Sequence, residues 1–147
     1  MKKNIIALFF VLSLCLSLPA CTSSDTTNNV EIDYGSSTLF SEAEIESAVD
    51  AVLAKFRDFE GCELKRLWYD EEMSDSIIER DIASSGENTI KNSGAGPENV
   101  IILFSDFYVD SSGGDGSFNP DSTYTDWIWI LIRDNENGKW SVDDWGY

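Results

Sequence analysis

Residues 125–132 read TDWIWILI, and the fold follows from how this run is read. Trp127, Trp129 and Leu131 alternate with Ile128, Ile130 and Ile132. Side chains alternate faces along a strand, so this strand is apolar on both. Such a strand is central, covered above and below. Residues 139–147 are its natural partner, because Asp134-Asn-Glu-Asn-Gly138 between them ends in Asn-Gly, a strong hairpin signal. A further strand precedes it over residues 99–110, where Val100 to Phe104 is apolar without a break. The intervening SSGGDGSFNPDS, residues 111–122, is a loop by composition.

Upstream, Ser41-Glu-Ala-Glu44 is a capping box, with Phe40 and Ile45 placed as a hydrophobic staple. Ile45, Ala48, Val49, Val52, Leu53 and Phe56 then recur at three- and four-residue spacing, which predicts an amphipathic helix of about four turns. Gly61 supplies its stop. Residues 62–69, CELKRLWY, read as a strand with Leu64 and Trp68 on one face and Leu67 and Tyr69 on the other. Lys65 and Arg66 suit an edge or near-edge place. Asp70 caps a second, short helix over 71–83, with Met73, Ile77 and Ile78 or Ile82 facing inward. Residues 84–97 read as loop with a short helical turn. The expected class is α+β: a long N-terminal helix packed on an antiparallel sheet of about four strands, with the helices on one face.

The first 20 residues read as a leader. Lys2 and Lys3 precede an apolar run, Ile5 to Leu18, that is too short to span a bilayer comfortably. Leu18-Pro-Ala-Cys21 follows and resembles the bacterial lipoprotein box. That resemblance implies a diacylglyceryl thioether on Cys21, hence attachment to the outside of the cell membrane. Residues 21–38 are then a Ser/Thr/Asn-rich tether and 39–147 the folded domain. With Cys15 in the leader and Cys21 lipidated, only Cys62 is left, so no intramolecular disulfide is possible. Cys62 reads as a small buried hydrophobe, with Glu60 and Glu63 disfavouring its thiolate.

The net charge is -17, which argues against nucleic acid and anionic membrane surfaces as partners. The chain has no His, so the usual general base and Ser-His or Cys-His nucleophile pairs are excluded. No catalytic set, cofactor or metal site is expected.

Leu67-Trp-Tyr-Asp-Glu-Glu72, Ser105-Asp-Phe-Tyr-Val-Asp110 and the ending Trp140-Ser-Val-Asp-Asp-Trp-Gly-Tyr147 carry a resemblance. Together they resemble a family of small exported lipoprotein domains of unknown function from clostridial-type bacteria. The resemblance implies a curved antiparallel sheet wrapped on the helix, similar to cystatin-like and nuclear-transport-factor-like domains. Relatives of that shape enclose pockets, and ketosteroid isomerase uses an Asp or Tyr in one. Asp106, Tyr108, Asp126 and Tyr69 are the residues that could serve so here, against a plainer reading as strand-end and core residues. Asp110 to Gly116 and Asp134 to Gly138 offer oxygens to calcium, but they lack EF-hand spacing and read better as solvated turns, which require Asp, Asn and Gly anyway. A cystatin-type inhibitor is disfavoured, because the chain has no Gln and so lacks that family's Gln-x-Val-x-Gly loop.

Of five Trp, Trp127 and Trp129 read as core and Trp68 and Trp145 as an exposed pair. With Tyr69 and Tyr108 they are the candidate ligand contacts. The leading expectation is a non-enzymatic binding module of the cell envelope, tethered through lipid on Cys21 and contacting a protein, peptide or glycan. The alternatives are a small pocket enzyme of ketosteroid isomerase type or a calcium-dependent module.

Overall fold

Two separate apolar clusters lie on opposite sides of one sheet. The computed structural model describes residues 29–84 and 89–147; Cys21, the leader and the start of the tether lie outside the described residues. The strands are β1 (Glu31–Asp33), β2 (Cys62–Tyr69), β3 (Val100–Val109), β4 (Ser122–Ile132) and β5 (Ser141–Gly146), side by side in that order. The helices are α1 (Glu42–Phe56), α2 (Glu71–Ala83) and the five-residue α3 (Thr89–Ser93), with a 3₁₀ turn at Pro97–Asn99.

The α+β class holds, but the sheet has five strands and is mixed rather than four-stranded and antiparallel. The strand β1 precedes the helix and pairs parallel to β2, while all other pairs are antiparallel. Val30, Ile32 and Tyr34 alternate toward the core, so residues assigned to the tether belong to the fold. Parallel neighbours need a crossover, and α1 provides it.

The helices cover both faces. The 15-residue α1 buries Ile45, Ala48, Val49, Val52 and Phe56 against Leu64, Leu67, Leu103, Phe107, Trp129 and Leu131. On the other side α2 and α3 supply Ile78 and Ile90 to a cluster with Trp68, Val100, Ile102 and Phe104. Ser74 on α2 is buried too, and its hydroxyl accepts the Ile102 N–H at 3.3 Å. Met73, expected inward, is exposed, and of the two alternatives Ile78 and Ile82 it is Ile78 that is buried. The both-faced apolarity of β4 thus reflects a cover on each side, with Trp129 under α1 and Ile128, Ile130 and Ile132 toward the second cluster.

Three bulges set which side chains face where. In β2, Leu64 sits opposite Phe107 but Arg66 opposite Asp106, so Lys65 is the extra residue. That shift puts Leu64 on the same face as Leu67 and Tyr69, and sends Trp68 alone to the other face, unlike the simple alternation expected. In β4 the bulge falls at Thr125–Asp126, with Asp126 at φ 54 and its N–H donated to Asp106 Oδ1 at 3.0 Å. The third lies between β4 and β5.

The capping box at Ser41 forms as expected. Ser41 Oγ accepts the Glu44 N–H at 3.4 Å and Glu44 Oε2 accepts the Ser41 N–H at 2.9 Å. Arg57, not Gly61, caps the C-terminal end of α1. Gly61, at φ 67, instead turns the chain into β2, where a Cβ would lie 2.5 Å from Ser112 Oγ. Ser41 and, less strongly, Arg133 hold the Glu44 carboxyl down at about 2, against an ordinary 4.5. A depressed carboxyl stabilises the fold above its unfolded value and loses that contribution as pH falls through the folded one. Urea midpoints of wild type and Glu44→Gln should therefore differ most above pH 4.5 and converge toward pH 2. A gap that stays constant across that range would contradict this role for Glu44.

Candidate functional site

Among the described residues, buried side chains pack the space between α1 and the sheet. Phe56 contacts Phe107 and Trp129 there, at ring separations of 5.6 and 6.3 Å, and Leu64, Leu67, Leu103 and Leu131 fill the rest. Trp129 Nε1 is satisfied inside by Ser105 Oγ at 2.8 Å. Phe104 belongs to the opposite face, stacked on Trp68 at 5.9 Å.

The aromatic network continues past the end of α1 and reaches the surface. Phe59 lies 5.2 Å from Phe56 and 5.7 Å from Phe118, stacked on both. Trp145, on β5, is 6.2 Å from Phe59 and 41% exposed. These three rings line a cleft of about 260 Å³ with Lys55, Asp58, Glu60, Asp115 and Ser117 around it. Its walls come from three places in the chain: the α1 C-terminus and its following turn, the 110–121 loop, and β5. The loop is held by its own Asp residues. Asp115 Oδ1 accepts the Ser117 hydroxyl at 2.6 Å and its N–H at 3.2 Å, which lowers the Asp115 carboxyl below its ordinary range. Asp110 does the same for Ser112. These carboxylates are engaged with the backbone and hydroxyls of their own loop. Among the described residues no group of three or more Cys, Asp or Glu converges as a metal would need.

Of the four residues singled out by sequence, only Trp145 lines this cleft. Trp68 is buried, not exposed, with the Arg66 guanidinium 4.4 Å over its ring. Its neighbour Tyr69 is buried on the opposite face, with its hydroxyl 3.5 Å from Ser37 Oγ. Burial, ahead of the nearby carboxylates, raises the Tyr69 hydroxyl above its ordinary value. Tyr108 lies half-buried near the far end of β3 and donates to Asp121 at 3.2 Å. Asp106 and Asp126 meet at the β4 bulge, as a backbone cap rather than a catalytic pair. Lys55, Asp58, Phe59, Glu60, Ser117 and Phe118 are cleft residues that the sequence reading did not single out.

A larger cleft, about 350 Å³, lies on the other face, lined by Ile77, Arg80, Asp81, Thr89, Ile128 and Asp144, and it shares Trp145 with the smaller one. Its carboxylates are already engaged: Asp144 accepts from Thr89 Oγ1 at 2.9 Å, and Asp81 from the Ile90 N–H at 3.2 Å. The smaller cleft is the better candidate, since Phe59 and Phe118 join Trp145 in an aromatic wall with the exposed Glu60 carboxylate at its rim.

Cys62 sits behind the 110–121 loop, buried in the α1-side core. Burial raises its thiol to about 11, and Asp110 and Asp115 add to this, rather than the Glu60 and Glu63 expected from sequence. A thiol reagent should therefore leave the folded protein unlabelled at Cys62 over hours at neutral pH and label it promptly in denaturant. Rapid labelling of the native state would show that the loop opens.

Fold and cleft define the class: an α+β domain of three layers with an aromatic surface cleft beyond the end of α1. No family model, no curated protein and no solved structure matches this chain.

Proposed function

We propose that this protein is a non-enzymatic binding module of the bacterial cell envelope. In this reading it is tethered outside the cytoplasmic membrane through lipid on Cys21 and engages a protein, peptide or glycan through the Trp145 cleft. The observation that carries the reading is the exposed Trp145 beside Phe59 and Phe118, at a point where the core aromatic network reaches solvent. Exposed aromatic anchors in a small concave site are what recognition surfaces use. The leader and lipoprotein-box sequence support the address, as does the resemblance of the Trp140 to Tyr147 ending to small exported lipoprotein domains. Among the described residues no helix is long and apolar enough to cross a membrane.

A pocket enzyme of ketosteroid isomerase type finds no support, because it needs a titratable group inside a cavity that Phe56, Phe107 and Trp129 fill. A calcium-dependent module finds little, because Asp110 and Asp115 already cap their own loop.

Metabolic labelling with palmitate should mark the wild-type protein and leave Cys21→Ser unlabelled; a wild type that takes no label, or equal labelling of both, would refute the anchor. A photo-reactive residue at position 145 should cross-link to an envelope component in producing cells. One at Met73, exposed on α2, should not. Equal products from both positions, or none from 145, would refute the cleft as the binding surface.

A further inference from the structure

The cleft carries its own indication of what it holds. Lys55 Nζ lies 4.7 Å over the Trp145 ring and 3.0 Å from Asp58 Oδ2. An ammonium is thus already seated on the indole face, attracted by the ring quadrupole. It is the single cation among Asp58, Glu60 and Asp115, all of which line the cleft. The Glu60 side chain has no hydrogen-bond or ion-pair partner among the described residues. The protein as a whole, at -17, adds to the same field.

From this arrangement we infer that the cleft takes a lysine or arginine side chain from a basic peptide segment. Its cationic head would replace Lys55 over Trp145, and its apolar stem would lie against Phe59 and Phe118. The inference rests on the binding reading above and adds the chemical class of the ligand. At about 260 Å³ the cleft falls below the roughly 300–1,000 Å³ of sites that enclose a drug-sized ligand, so it suits one inserted side chain. A neutral sugar would stack on Trp145 equally well but would leave the Glu60 carboxylate without a counter-charge. A basic segment satisfies the ring and the rim together, and the opposite charges speed its encounter. Lys55 acts as a built-in competitor: a ligand must displace it from Trp145 and leave it with Asp58.

Calorimetric titration of the intact protein in neutral detergent tests this, with a penta-lysine peptide and, in parallel, a chitin hexasaccharide. Saturable penta-lysine binding is expected. Trp145→Ala should weaken it about tenfold, and Glu60→Gln should weaken it several-fold. Lys55→Met should strengthen it several-fold by removing the competitor. Lys65→Met, an equal change in charge on exposed β2 surface, should barely alter it. Trp145 is exposed, so Trp145→Ala should melt close to wild type, separating lost binding from lost folding. Penta-lysine binding that ignores Trp145→Ala, or that responds equally to Lys55→Met and Lys65→Met, would reduce the effect to bulk charge and overturn the inference. Hexasaccharide binding lost in Trp145→Ala, with penta-lysine inert, would overturn the cationic ligand while leaving the cleft as a binding surface. If neither probe binds, the cationic class falls, and cross-linking from position 145 decides separately whether the binding reading stands.

Discussion

Trp129→Ala is expected to destabilise the protein by about 3–5 kcal/mol, the range for deleting a large buried aromatic. Trp129 is fully buried at the centre of the α1-side core. Its ring meets Phe56 at 6.3 Å, Phe59 at 5.3 Å and Trp145 at 6.4 Å. Alanine would leave a cavity that β4, paired on both sides, cannot collapse to fill. It would also strand the buried Ser105 hydroxyl, which receives the indole N–H. Chemical denaturation measures the loss, and Trp129→Phe should recover part of it. A loss below about 1 kcal/mol would mean that the core is loosely packed and that space for a ligand could open beneath α1.

Arg133→Ala is the second large effect, expected at about 3 kcal/mol. The Arg133 side chain is only 4% exposed. Its Nη1 donates to Glu44 Oε1 at 2.8 Å, and its Nε and Nη2 both donate to the Glu98 carbonyl, at 3.2 and 2.7 Å. The guanidinium plane also lies 4.4 Å from the Trp140 ring. One side chain thus joins the end of β4, the start of α1 and the 3₁₀ turn before β3. Truncation would leave the Glu98 carbonyl short of its donors and Glu44 short of its counter-charge. Lysine should rescue little, because it cannot reproduce the fork that serves two acceptors and a ring. The Arg133→Ala and Glu44→Gln losses should be clearly non-additive, since each removes the same contact. Full additivity in a double-mutant cycle would contradict a working ion pair.

What could be read from the sequence depended on how local its cause was. The α1 cap and apolar stripe are contiguous, and they formed at the expected residues. The double-faced apolarity of β4 pointed correctly to cover on both sides. The second cover was assigned to the wrong side because α2 gives so little signal: it turns only Ile77, Ile78 and a hydroxyl, Ser74, toward the sheet. The alternation Val30-Glu-Ile32-Asp-Tyr34 could have disclosed β1, but it lies inside a polar stretch that reads as linker. Trp68 was misplaced because the bulge at Lys65 reverses face parity, and no residue type announces it. Arg133 looks like an ordinary charge beside a turn; its burial depends on Glu44 and Glu98, distant in sequence. The cleft was legible only in Trp145, since Phe59, Glu60, Asp115 and Phe118 meet it through tertiary structure alone.

The most direct test of the central claim is a set of ¹H–¹⁵N spectra of the tryptophan indoles. They would be recorded on the intact protein in neutral detergent, with and without a soluble envelope fraction from producing cells. If the Trp145 cleft is the binding surface, the Trp145 indole resonance shifts or broadens selectively. Trp129, buried behind Phe56, and Trp68, on the opposite face, stay in place. Perturbation centred on Trp68, with Trp145 unmoved, would contradict the account and move the functional surface to the α2 side.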